Sequence, residues 1–267
     1  MNPAGKSFRS FEEFHRQKPK DRPFCFWLGS TDAHRAYKRD SGLQSGMDPA
    51  KVVVPDHLPD DAIVRRDILD YFFEVQRFDS LVGNALALLE NAGELDDTLV
   101  VVTSDNGMPF PRVKGQVYEY SNHLPLAIMW PGGIENPGRV VDDFVSFIDF
   151  APTFLEVAGV DSLQSAMHEM TGRSLTEVFY SDREGQVVDE RDFVLVGKER
   201  HDLGRPGDLG YPVRGIIKDE LLYLRNYYTD RWPAGNPETG YLNCDGGATK
   251  TYILNQRRIH GNMEYWE

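Results

Sequence analysis

Thr98-Leu99-Val100-Val101-Val102-Thr103-Ser104-Asp105-Asn106-Gly107 joins an apolar, β-branched run directly to an acid, an amide and a glycine. A run of this kind reads as a strand covered on both faces of a parallel sheet. In open α/β sheets, ligands gather just beyond the carboxyl ends of such strands. Asp105 and Asn106 then offer one carboxylate and one amide oxygen, hard donors that suit calcium or magnesium better than zinc. Gly107 lets the chain turn away. Asp-Asn-Gly is also good turn chemistry, so the segment by itself leaves two readings open, a metal-binding strand end and a plain exit from the sheet.

Downstream, Met108-Pro109-Phe110-Pro111-Arg112-Val113-Lys114-Gly115-Gln116-Val117-Tyr118-Glu119 leads to Leu124-Pro125-Leu126-Ala127-Ile128-Met129-Trp130-Pro131-Gly132, a second strand closed by a turn. Upstream, Phe24-Cys25-Phe26-Trp27-Leu28-Gly29-Ser30 is a short apolar run expected to be a strand, with Thr31-Asp32-Ala33-His34-Arg35 as the polar loop at its end. Between these, Asp60 to Gly93 carries Ile68, Phe72, Val75, Leu81, Val82, Leu86 and Leu89 at near-helical spacing, which predicts a long amphipathic helix ended by Gly93. Phe147 to Gly159 predicts a packing helix with Pro152 near its start.

These motifs resemble the sulfatase family. Its members carry Ser-Asp-Asn-Gly, a nearby lysine, a Tyr-Glu or similar pair, and a Pro-Leu strand closed by Trp-Pro-Gly. The His34 loop is similar to the Asp-Pro-His-Arg loop of heparan N-sulfatase-like polysaccharide sulfatases, with Ala33 in place of the proline. The resemblance implies an alkaline phosphatase-like α/β fold, with a central mixed sheet flanked by helices and a small antiparallel C-terminal subdomain. It also implies that Asp105 and Asn106 ligate calcium, that Lys114 holds the sulfate, and that His34 binds sulfate and assists the leaving group. Arg35, Arg200 and His201 are the implied substrate contacts, and Asp105, Asn106, His34 and Lys114 are expected to converge on one cleft. A divalent cation and a fixed ammonium would stabilise the charge that a sulfate ester gains on its oxygens as it cleaves.

The domain boundary is expected between the α/β part, residues 1–165, and a C-terminal part, residues 185–267. Asp161 to Glu190 is polar and mixed, with a turn at Ser181-Asp182-Arg183-Glu184-Gly185. Beyond it, Phe193–Gly197, Tyr211–Ile217 and Leu221–Tyr227 are short strand candidates of one antiparallel sheet. Lys198-Glu199-Arg200-His201-Asp202 and Asp230-Arg231-Trp232-Pro233 resemble loops that shape the substrate pocket in polysaccharide sulfatases.

The formylglycine motif of the family, Cys-x-Pro-x-Arg or its Ser version, does not occur in this sequence, nor do the two further aspartates of its calcium site. The chain therefore aligns with the latter half of a sulfatase, and a missing N-terminal half is the expectation. An incomplete, weak calcium site and little or no hydrolysis by this polypeptide alone are also expected. The alternatives are an inactive sulfatase-like binding protein and a phosphoesterase of the alkaline phosphatase superfamily. That last group usually needs a second metal with Asp-His ligands, whereas Asp105 is followed by Asn106.

Composition fits a folded domain or two, with 40% hydrophobic residues in 267. No apolar run approaches the length of a membrane span and Met1 opens no signal segment, so no membrane or nucleic-acid partner is expected and the compartment is left open. The family is usually periplasmic, lysosomal or extracellular. Two cysteines in unlike contexts suggest no disulfide framework. A net charge of −13 opposes a polyanionic partner. His34, Arg35, Lys38 and Arg39, then Arg112 and Lys114, then Lys198, Arg200, His201, Arg205 and Arg214 could gather into a local positive cleft that resolves the conflict.

Overall fold

Asp61 starts the longest element of the protein. Its side chain accepts from the Ile63 N–H at 2.8 Å, an N-cap bond that satisfies one of the free donors of the first turn. From there α3 runs over Ala62–Ala92 in the computed structural model and stops at Gly93, which takes the left-handed conformation at φ +69°. The structure describes residues 5–160, 168–200, 207, 209–231 and 244–261.

The predicted apolar face of this helix is corrected in part. Ile68 and Leu89 are buried and Leu81, Val82 and Leu86 half-buried, but Phe72 and Val75 are exposed, and Asp67, Asp70 and Glu74 are buried instead. Each acid has donors. Asp70 accepts from the backbone of Asp40 and Gly42 and from the Ser41 hydroxyl, while Glu74 pairs with Arg77 at 3.1 Å. Helical spacing identifies the helix; the polar residues around it decide which side goes in.

The described residues form two compact units. One draws on Met1–Leu95, Pro109–Pro111 and Asp245–Glu267, the other on Asp96–Met108 and Arg112–Cys244. The first holds α1 (Phe11–Gln17), α2 (Ser41–Gln44), α3 and α7 (Ala248–His260). The strand expected over residues 24–30 does not form there. Phe24 and Phe26 do alternate inward as in a strand, yet they pack on α1, with Phe26 stacked on Phe14 at 4.5 Å between ring centroids, while Trp27 is exposed. Among the described residues no other strand supplies this backbone with a ladder.

The second unit holds two sheets. β1 (Val100–Thr103) pairs antiparallel with β2 (Leu126–Met129), Val100 opposite Met129 and Thr103 opposite Leu126. This pair is what the described residues contribute to a central sheet, and it corrects the expectation of a strand buried on both faces in a parallel sheet. All four β1 residues are half-buried. The predicted Trp-Pro-Gly turn closes the pair, because Gly132 N–H donates to Asp96 O at 2.9 Å just before β1. A Cβ on Gly132 would stand 2.5 Å from that oxygen.

β3 (Phe193–Lys198), β4 (Val213–Lys218) and β5 (Leu221–Asn226) form the antiparallel C-terminal sheet in the order β3-β4-β5, as the strand candidates predict. Val213 packs with Val117, Tyr211 and Leu224 on its inner face. The predicted packing helix is a 3-10 turn, Phe147–Asp149, leading into α5 (Phe150–Val157), and the short α6 (Thr176–Phe179) follows in the same unit. Asp149 anchors it through a buried ion pair with Arg191 at 2.9 Å. No helix of the described residues is long and apolar enough to cross a membrane.

Candidate functional site

In the second unit, β1 delivers the chain to Ser104, whose hydroxyl donates to the Asn106 carbonyl at 2.8 Å and fixes the turn. Asp105 is exposed and Asn106 half-buried, and no ion pair engages the Asp105 carboxylate among the described residues. Gly107 has a sharper reason than the turning expected of it. Its N–H donates to Ser121 O at 3.3 Å, and a Cβ there would lie 2.0 Å from the Tyr120 carbonyl oxygen. Only glycine admits that approach of backbone to backbone.

The loop after Gly107 is held from two sides. Ser121, in the short helix α4 (Glu119–Asn122), donates its hydroxyl to Val113 O at 2.6 Å, and Val113 is fully buried. Lys198, the last residue of β3, donates to Gly115 O at 3.2 Å and to the Gln116 side chain at 2.9 Å. Lys114 is half-buried between these anchors. Lys198 is among the cations expected in a cleft; its ammonium secures the Lys114 loop, a role that only the meeting of β3 with a segment more than 80 residues upstream reveals.

As a calcium site, the pair Asp105 and Asn106 fits in kind and falls short in number. Both side chains present hard oxygens at one strand end, and among the described residues the carboxylate has no cation paired with it. Calcium takes six to eight oxygens. Among the described residues no group of three or more His, Cys, Asp or Glu is placed to hold a metal ion.

His34 and Arg35 belong to the first unit. The loop around them is stapled three times: His34 N–H to Thr31 O at 3.2 Å, Tyr37 hydroxyl to Ala33 O at 2.9 Å, and His34 Nδ1 to Arg35 O at 2.5 Å. Burial pushes the Tyr37 hydroxyl well above its ordinary pKa, so it stays a neutral donor. Ala33 sits at φ +71°. A proline ring holds φ near −65°, so the proline of the resembled motif could not occupy this backbone.

His34 is exposed, whereas the Arg35 side chain points into the protein. Its guanidinium forms a two-pronged ion pair with Asp67, both bonds 2.8 Å, and donates from Nε to Pro109 O at 2.9 Å. Tyr37 and Phe110 flank it, each with its ring centroid 4.5 Å away. A substrate contact by Arg35 would compete with all of these. Arg214 likewise pairs with Glu199, and Arg39 with Asp40 at 3.8 Å, so several of the cations counted toward a positive cleft are neutralised locally. Arg200 is exposed at the end of β3, while His201, Arg205, Trp232 and Pro233 lie outside the described residues.

The sulfatase family model matches residues 6–160 of this chain. Human N-sulphoglucosamine sulphohydrolase is 32% identical over 84% of this chain and 52% of its own length. An ulvan-active sulfatase of Formosa agariphila is 27% identical over 72% of this chain and 28% of its own. A solved protein of glycosaminoglycan metabolism in Bacteroides thetaiotaomicron superposes with a TM-score of 0.55 at 20% identity, over 84% of this chain and 49% of its own. The chain belongs to the sulfatase family, and its fold is the sulfatase-like α/β fold. It spans about half the length of the human relative and of the solved structure.

Proposed function

We propose that this chain supplies the metal-binding and sulfate-binding side of a sulfatase that acts on sulfated carbohydrate. The carrying observation is the end of β1, where Asp105 and Asn106 present hard oxygens and the next loop holds Lys114 between the Ser121 and Lys198 anchors. The relatives support the substrate class, since they include N-sulphoglucosamine sulphohydrolase and N-acetylglucosamine-6-sulfatase of Homo sapiens. In this reading Asp105 and Asn106 hold calcium, which when bound supplies a Lewis acid for sulfate oxygens. Lys114 places its ammonium against the same developing charge. His34, with Nδ1 committed to a carbonyl, leaves Nε2 as the ring nitrogen that would meet the leaving oxygen. Arg200, exposed just beyond the end of β3, contacts the sugar, and His201 is the further residue proposed to do so.

Calorimetry with calcium tests the reading. With one recognised carboxylate, binding should be no tighter than roughly the millimolar end of the calcium range, and Asp105→Ala should abolish it. Micromolar affinity, or binding that survives Asp105→Ala, overturns it. Because the sequence contains neither form of the formylglycine motif, the purified chain should not turn over an aryl sulfate or sulfated oligosaccharides. Robust turnover would require a different nucleophile.

A further inference from the structure

We propose that Asp67 is a positioning residue for His34, acting through Arg35 and completed by the first turn of α7. This role rests on the reading of His34 as the group beside the leaving oxygen. Asp67 is 5% exposed. Its carboxylate receives four donors: Nη1 and Nη2 of Arg35, both at 2.8 Å, the Thr249 N–H at 3.0 Å and the Thr249 hydroxyl at 2.7 Å. Three of the four donors converge on Oδ2 and one on Oδ1, so the carboxylate is held by Arg35 and Thr249 together and is committed to holding its neighbours.

Arg35 has correspondingly little freedom. Beyond Asp67 it is tied to Pro109 O and sandwiched by Tyr37 and Phe110, and Gly247 closes the remaining space. A Cβ on Gly247 would stand 2.5 Å from the guanidinium carbon. These contacts anchor Arg35 by its side chain, and the carbonyl of the same residue is the acceptor for His34 Nδ1. A carbonyl only accepts, so that nitrogen carries the proton. The ring is thereby held as the Nδ1–H tautomer with Nε2 left free of the proton, because the hydrogen bond made by one ring nitrogen sets the state of the other. Thr249, fully buried at the start of α7, supplies two of the four bonds that hold Asp67 in place.

Long-range ¹H–¹⁵N spectra of the imidazoles in the labelled full chain test this, with His15 and His123 as internal controls. The unmodified protein should show His34 as a single Nδ1–H tautomer when neutral. Asp67→Asn, Gly247→Ala and Thr249→Val should each convert it to a mixed pattern in which Nε2–H is populated, with the controls unchanged, and Thr249→Ser should keep the original pattern. If Asp67→Asn does not fold, the Gly247 and Thr249 variants decide. An unchanged His34 pattern in folded Gly247→Ala and Thr249→Val overturns the proposal. The readout is a ring proton, so it stands or falls separately from calcium binding at Asp105.

Discussion

Arg35 and Asp105 both follow short apolar runs, yet the protein treats their charges in opposite ways. The Arg35 guanidinium is buried, pinned by Asp67 and Pro109 and flanked by two rings, whereas Asp105 stands exposed at a strand end with no cation paired to it among the described residues. The first arrangement commits a charge to architecture. The second leaves an exposed carboxylate at a turn, and this contrast separates a charge that shapes the fold from the one proposed to meet a metal ion.

The largest effect expected from this contrast is on stability. Asp67→Ala leaves the Arg35 guanidinium buried without its carboxylate, a change that costs roughly 3–5 kcal/mol in buried ion pairs. Asp105→Ala, on an exposed acid outside any ion pair, should stay within about 0.5 kcal/mol. Urea unfolding of both variants measures the gap; equal losses would erase the distinction between the two regions.

Gly107→Ala probes the same contrast from the other side, since the strand end tolerates loss of its charge but not an added methyl. The Tyr120 carbonyl 2.0 Å from the new Cβ must move, which overpacking data put at about 1–3 kcal/mol. Thermal unfolding should show a lower Tm than Asp105→Ala, and calcium binding should weaken because the turn carrying Asp105 and Asn106 shifts. A Gly107→Ala protein as stable as the unmodified one would mean the turn yields without cost.

The smallest expected effect concerns partly exposed pairing, which lies between the two extremes. Glu94 is held below the usual glutamate pKa, chiefly by the Lys18 ammonium at 2.9 Å and also by His15 at 3.0 Å. A depressed carboxylate stabilises the fold above its unfolded-state pKa and loses that contribution as pH falls through the folded value. Stability should therefore decline on acidification through and below the ordinary glutamate range, and Glu94→Gln should remove this component. Partial exposure limits it to about 1 kcal/mol or less, readable as the difference between the two proteins' urea midpoints at neutral and acid pH.

Much of the fold is legible locally. Asp61 and Gly93 bound α3 because an N-cap acceptor and a left-handed glycine act within one turn. Alternation and turns mark β3 to β5 because strand pairing there is between neighbours in sequence. The Ser-Asp-Asn-Gly stretch also reads correctly as a strand followed by a turn. Residues 24–30 mislead for a physical reason: alternating Phe24 and Phe26 are compatible with any extended chain packed on one side, and whether it becomes a strand depends on a partner supplied from elsewhere.

The order of residues alone carries the family, the long helix and the C-terminal antiparallel sheet, since caps, alternation and motif spacing are local properties. It took the folded arrangement to establish that Arg35 is an internal anchor, that Lys198 secures the Lys114 loop, and that Asp67 joins Arg35 to Thr249, which lies 182 residues beyond Asp67 in the chain. No periodicity or spacing encodes such partners. A buried charge is tolerable only where the folded chain surrounds it with donors or counter-charges, and which groups arrive there is settled by packing rather than by order along the sequence.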